Sequence, residues 1–489
     1  MRVEKYLAAT SAAALLCAVG GAALAQTQAQ TQAVRSGAMA AEARAAAASA
    51  GIPSGLNPDY GLAAGDWLLY PSLFAGFVYN DNIYNTAANR RSGVGVRFRP
   101  SIQVERDTGI HRTDAYARAD IQVYPGHGQT YQFTPSFQTL ASPTNVTANV
   151  GFSHAYKPLP DLKFTLYSDF TRGSGGVFGG GYGLGGVGNI PNAVSLVGLG
   201  SFSNQVTGGA AVDKQFGNGF VRLSGNVQHV FYDMPANNAY LNALLGSGLI
   251  TKPPSATNIY AAVRGGYWVT PLLYTFVESG ADIRRSSNWR NDTDGYRVIG
   301  GVGSDLIGLF QGEVFGGVAS QASSHGFFGA RTAPTFGGRL SYYPTRQLTL
   351  AATIDQSFTA PGMQGVSPFG FLGVLYTPTA ATRTLQAKAQ ADYKITDYWN
   401  AYARLGWGQS RSSGYYNYGA TFLTAWTQPS SVTIWGAGAG MSYTFWRNIA
   451  LTFEYNFAKS IPNNPNNLAW WTPTSVTQNT VSAGLTYKY

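Results

Sequence analysis

The stretch Ser92-Gly-Val-Gly-Val-Arg-Phe-Arg-Pro-Ser-Ile-Gln-Val-Glu105 decides the fold. Val94, Val96, Phe98, Ile102 and Val104 fall on one side of a period of two, and Arg97, Arg99, Gln103 and Glu105 on the other. That period belongs to an extended strand with one apolar and one wet face. Leu385-Gln-Ala-Lys-Ala-Gln-Ala-Asp-Tyr-Lys-Ile395 repeats it, and from Leu68 to Tyr489 the chain offers eighteen such segments, the first over 68–79 and the last over 474–489. Repeated in this way along a secreted chain of Gram-negative type, the pattern predicts an all-β fold: a transmembrane antiparallel up-and-down β-barrel of about 18 strands in the outer membrane.

The connections point the same way. Links after even-numbered segments are short (Asp107-Thr-Gly, Pro158-Leu-Pro, Phe216-Gly-Asn, Pro344-Thr-Arg, Trp446-Arg-Asn), and links after odd ones are mostly long, as over 125–142, 173–200 and 361–380. Short periplasmic turns alternating with long extracellular loops produce this rhythm, and an even strand count places both mature termini in the periplasm. Gln129–Gln138 is expected inside a loop. Aromatic residues near strand ends, among them Trp67, Tyr70, Trp268, Tyr398, Trp399, Phe445 and Trp446, are expected to form interfacial girdles.

Residues 1–25 are read as a signal peptide: Arg2 and Lys5, the apolar run Leu7–Val19, and an Ala23-Leu-Ala25 cleavage site. Residues 26–65 form an Ala/Gln-rich periplasmic leader, with the barrel occupying 66–489. The one cysteine, Cys17, lies in the signal, so the mature chain needs no disulfide. Charged residues make up 11% of the chain, against about a quarter in a soluble domain. The formal net charge is +10. In a barrel such an excess favours anionic solutes and lipid headgroups, and no nucleic-acid motif accompanies it.

Parity assigns a lumen set. Its basic members include Arg97, Arg99, Arg118, Lys163, Arg222, Arg264, Arg297, Arg339, Lys388, Lys394, Arg404 and Lys488. Its acidic members are Glu105, Asp114, Asp120, Asp169, Glu313, Asp355, Asp392 and Glu454. Inward charges can simply neutralise one another and hydrate the wall. Rings of arginine and lysine also favour anions in a pore. Tyrosines recur beside them, notably Tyr116, Tyr167 and Tyr402, and aromatic faces stack on sugar rings. These tyrosines, with the cations other than Lys394 and Lys488, are the candidate solute contacts. The run Gly173–Gly188 is either a solvated loop or a constriction. The five histidines, His111, His127, His154, His229 and His325, show no metal-ligand spacing or nucleophile elbow. No catalytic set, metal or cofactor is expected.

Tyr70-Pro-Ser-Leu-Phe-Ala-Gly-Phe-Val-Tyr-Asn-Asp-Asn-Ile-Tyr84, with its Asp81-Asn82-Ile83-Tyr84 element and the later Arg99-Pro100 break, resembles the opening hairpin of the putative β-barrel porin family 2. The resemblance implies an outer-membrane channel assisting export of an acidic exopolysaccharide or capsule. The alternative is a general or sugar-selective uptake porin. The partners expected are outer-membrane lipid, a polysaccharide or other hydrophilic solute, the barrel-assembly machinery that reads a terminal aromatic strand, and periplasmic polysaccharide-export proteins.

Overall fold

The computed structural model describes residues 61–84, 90–128, 130–133, 138–141, 144–174, 202–233, 255–287, 292–325, 330–359, 382–412, 430–463 and 475–488. The signal peptide, residues 26–60 of the leader and most of the glycine-rich run, expected above as a loop or a constriction, lie outside these residues.

Among the described residues there are 21 strands. Three stand apart from the barrel: β1 (Leu62–Ala64), folded back on the start of β2, and the loop hairpin β5 (Thr130–Phe133) and β6 (Gln138–Ala141). The segment expected in a loop is thus a hairpin that joins no barrel strand. The other eighteen close the barrel. They are β2 (Trp67–Asn80), β3 (Gly93–Asp107), β4 (His111–Val123), β7 (Asn145–Leu159), β8 (Leu162–Ser174) and β9 (Phe202–Phe216). Next come β10 (Gly219–Asp233), β11 (Ala256–Trp268), β12 (Leu273–Ser286), β13 (Thr293–Ile307), β14 (Phe310–Ser323) and β15 (Arg331–Tyr342). The circuit ends with β16 (Leu348–Thr359), β17 (Thr382–Lys394), β18 (Trp399–Ser412), β19 (Ser430–Trp446), β20 (Ile449–Asn463) and β21 (Val476–Lys488). Each pairs antiparallel with its neighbour, and β21 pairs back onto β2 from Ser72↔Lys488 to Asn80↔Thr480. Closure is what hydrogen bonding demands in lipid, where each unpaired amide at an open edge costs several kcal/mol.

The short turns are built locally. Thr270, Thr345 and Thr396 each accept, at Oγ1, the amides two and three residues on, at 3.0–3.3 Å. Such a hydroxyl mimics a backbone turn. In the β3–β4 turn Asp107 accepts the Gly109 amide at 2.8 Å, and Gly109 sits at φ 79°, a conformation that favours glycine. Pro100 lacks an N–H, and the β3–β4 ladder runs through Phe98↔Ile121, passes over it, and resumes at Ser101↔Arg118 without a change of register.

Parity holds in every barrel strand. Leu73, Phe77 (70% exposed), Val94, Phe98, Leu166, Val277, Leu405, Leu451 and Leu485 point outward. Outward aromatic pairs form one belt near the short turns: His111 on Tyr156 at 4.8 Å, Phe310 on Tyr342 at 4.4 Å, Trp399 on Tyr443 at 4.6 Å. Two residues expected in the girdles are not there. Tyr70 shares the inward parity of Phe74 and Val78 and is buried. Trp268 shares that of Arg264 and packs on Tyr274 at 4.8 Å and Phe220 at 6.3 Å inside the barrel. Position near a strand end selects an interfacial height, but parity selects the face.

Candidate translocation lumen

Aromatic side chains set the inner wall. Tyr116, Tyr167, Phe220, Tyr274, Phe276, Phe315 and Tyr402 each stand opposite a glycine on the following strand: Gly151, Gly209, Gly266, Gly303, Gly301, Gly337 and Gly440. In every case the ring fills the space that a Cβ on that glycine would need. Aromatic covering of a strand glycine protects the ladder and fixes register. The three tyrosines expected to meet solute thus lie over glycines of the wall, and the Tyr116 hydroxyl donates to Asp169 at 2.7 Å.

Charged side chains lie over these rings in two lattices. The first spans β11 to β14. Arg264 donates from Nε to Glu278 at 2.8 Å and from an Nη to Glu313 at 3.0 Å. Arg297 and the Tyr260 hydroxyl bond the other Glu278 oxygen at 2.6 and 3.0 Å, and Tyr274 donates to Glu313 at 2.8 Å. The Arg264 guanidinium also sits 4.1 Å from the Phe276 ring centre. Arg264 is 7% exposed and Glu278 4%, so these are buried charges retained by pairing. Through direct cross-strand partners the row Lys163, Asp213, Arg222, Arg264, Glu278 runs without a break from β8 to β12.

The second lattice crosses the seam where the chain closes on itself. Arg97 of β3 donates to Asp120 of β4 at 2.9 and 2.5 Å, and to Glu454 of β20 at 3.2 Å. Arg99 bonds the other Glu454 oxygen at 2.8 Å and lies 4.3 Å from the Phe74 ring centre. Between β3 and β20 lie β2 and β21, and there the inward residues Gly76 and Gly484 face each other. Their backbones approach so closely that a Cβ on either would collide with the partner strand's carbonyl. Two glycines thus clear a channel in the wall along which the arginine reaches over both terminal strands.

The Asp81–Tyr84 element secures the same seam at the long-loop end. Asp81 accepts the Asn479 amide and its side-chain NH2, both at 2.6 Å, and Asn82 donates to the Thr477 carbonyl at 3.0 Å. Ile83 and Tyr84 bury against Val78 and Tyr124, with the Tyr84 hydroxyl on the Gly128 carbonyl at 2.8 Å.

All the expected lumen cations share the inward parity. Arg97, Arg99, Arg264 and Arg297 are engaged by carboxylates, and Arg222 stands 3.6 Å from Asp213. Arg118 and Arg404 lie 5.7 and 4.5 Å from the ring centres of Tyr116 and Tyr402. Arg339 stands opposite Glu313, Lys163 opposite Asp213, and Lys388 between Thr353 and Gly406. The inner face also carries charges absent from the expected set: Asp213, Glu278, Asp282 and Asp305, with Arg112 and Arg284. The excess of cations is correspondingly narrower. On β12 the signal was blurred because Phe276 points inward beside Glu278. On β9 it was blurred because Asp213 adjoins an outward Lys214. Among the described residues no group of three or more His, Cys, Asp or Glu is placed to hold a metal ion.

A closed antiparallel barrel of eighteen strands, apolar outside and charged within, is a porin-type outer-membrane transport barrel. The chain belongs to the family described as "Putative beta-barrel porin 2", which matches residues 58–153 and 191–489. Among solved structures it is similar to the FrpB iron transporter of Neisseria meningitidis, with 10% identity, 88% of this chain and 82% of that chain covered, and a TM-score of 0.42. It is also similar to the siderophore receptor PirA of Acinetobacter baumannii (7% identity, 86% and 80% covered, TM-score 0.41) and to PirA of Pseudomonas aeruginosa (10%, 86% and 80%, 0.37). No function follows from similarities at this level. No curated protein sequence matches the chain.

Proposed function

We propose that this barrel is an outer-membrane channel assisting export of an acidic exopolysaccharide or capsule, with its short turns and both mature termini on the periplasmic side. The observation that carries the reading is the inner face itself, a polar wall on which arginines and lysines recur from β3 to β18. Pairing with carboxylates leaves a modest positive excess spread along the wall and no one deep trap. A polyanion passes spaced sites that are each weak enough to release it. Arg222, paired with Asp213 and 43% exposed at its side chain, is the first candidate for transient glycan contact, followed by Arg118, Lys163, Arg339, Lys388 and Arg404. The family resemblance of the opening hairpin supplies the direction of transport. The barrel-assembly machinery and periplasmic polysaccharide-export proteins are the partners this role requires.

One observation favours the alternative of a general or sugar-selective uptake porin: Asp213, Glu278, Asp282 and Asp305 bring the lumen closer to charge balance. Surface and secreted polysaccharide in a strain lacking the gene, with a complemented control, separates the two. Loss of polymer at the surface with retention in the periplasm is the expected result. An unchanged yield with slowed sugar uptake would replace export by uptake.

A further inference from the structure

Outward-facing charge at the long-loop end is treated differently on two sides of the barrel. On β12 and β13 the outward Arg285 bonds Asp294 at 2.8 Å, a neutral pair. On β17 and β18, Arg383 stands directly opposite Arg411. Both are exposed, and both have the outward parity of Leu385 and Leu405. Like charges directly opposite each other across a ladder are destabilising, and neither guanidinium meets a carboxylate among the described residues.

The sequence denies them one nearby as well. No aspartate or glutamate occurs between Asp355 and Asp392, between Asp397 and Glu454, or after Glu454. Every connection at this end of β16–β21 is therefore free of acids. The adjacent Asp81 carboxylate is taken by Asn479. Lys459 of β20 adds a third outward cation, directly opposite Trp435. Trp435 is itself 48% exposed and stands opposite Trp407, their ring centres 6.2 Å apart. The order along the outer surface is thus the two arginines at the rim, a row of Trp407, Trp435 and Lys459 next, then Leu405 and the alanines Ala403, Ala437 and Ala439. Tryptophan at the interface with cations beyond it matches a headgroup layer above acyl chains.

We propose that this outer face of β17–β20 binds a phosphate-bearing lipid headgroup of the leaflet at the long-loop end. Arg383 and Arg411 clamp one phosphate, Lys459 neutralises a second anionic group, and Trp407 and Trp435 pack against the upper acyl chains. Paired guanidiniums suit a phosphate because several N–H donors converge on its oxygens. The site lies on the opposite surface from the lumen and is independent of what the lumen carries.

The test titrates the purified full-length barrel in detergent with bisphosphorylated lipid A, with its dephosphorylated form, and with inorganic phosphate as competitor. Removing two charge-assisted contacts in the Arg383→Gln/Arg411→Gln variant should weaken lipid A binding at least about tenfold. Arg285→Gln should leave it unchanged, and dephosphorylated lipid should bind wild type as weakly as lipid A binds the double variant. If the double variant lacks the heat-modifiable band of a folded barrel, Arg411→Gln alone decides, with a smaller loss in the same direction. Unchanged affinity in the variant, or equal binding of dephosphorylated lipid, would overturn the proposal. Displacement of lipid A by inorganic phosphate would assign the pair to a soluble anion and overturn the lipid reading.

Discussion

The two lumen lattices use the same chemistry for different topological tasks. Between β11 and β14, Arg264, Glu278, Arg297 and Glu313 join strands that follow one another in the chain, so their contacts are local. Across the seam, Arg97 and Glu454 are 357 residues apart, and their bond spans both terminal strands over the Gly76–Gly484 gap. In the first lattice each group has a second partner close by. In the second, a single carboxylate serves two arginines and holds the first hairpin to the last. Buried ion pairs add little net stability over apolar packing, but removing one partner strands the other. The seam has more to lose because Arg99 depends on Glu454 alone among the described carboxylates and because closing a long loop is entropically the most expensive step.

The largest effect should come from setting Glu454→Gln against Glu313→Gln. The first leaves Arg97 with Asp120 but strands Arg99, which meets no other carboxylate among the described residues, and should cost about 3–5 kcal/mol in urea unfolding of the refolded barrel. The second leaves Arg264 bonded to Glu278, and should cost about 1–2 kcal/mol. Equal losses would mean that the seam has no special dependence on this pair. A smaller effect is expected from Gly484→Val, which forces a Cβ against the Ala75 carbonyl. It should destabilise by about 1–3 kcal/mol, while Gly316→Ala, where a Cβ meets open space, stays near wild type.

The smallest effect lies at the short-turn end. Lys214 bonds Asp161 at 2.5 Å and holds its carboxyl below the ordinary value. A depressed folded pKa gives stability that is present above the unfolded value of about 4 and lost as pH falls through the folded one. Asp161→Asn should therefore separate slightly from wild type in melts at neutral pH and converge with it in acid. A difference that persisted in acid would show that the turn depends on something other than that charge.

The fold was legible because alternation is a property of single strands: the clean run from Val94 to Glu105 needs no tertiary knowledge, and β3 forms there with both faces as read. The Asp81–Tyr84 element was recognisable as a family feature, yet its task was not, because its partners Thr477 and Asn479 lie almost 400 residues away. The site was legible only as a face. Parity placed Arg97 and Arg264 inward, but which carboxylate each meets depends on register between distant strands. The packing of the tyrosines was hidden for a related reason. Tyr116, Tyr167 and Tyr402 carry the composition of a sugar-binding lumen, and only the cross-strand glycines Gly151, Gly209 and Gly440 reveal that their rings lie against the wall.

Ion selectivity of the purified barrel in a planar bilayer, measured from the reversal potential under a salt gradient, tests the account most directly. The account predicts an anion-selective conductance that acidic glycan interrupts and neutral glycan does not, with Arg222→Glu moving selectivity toward cations. A cation-selective wild-type channel, or one that acidic glycan leaves undisturbed, would contradict it.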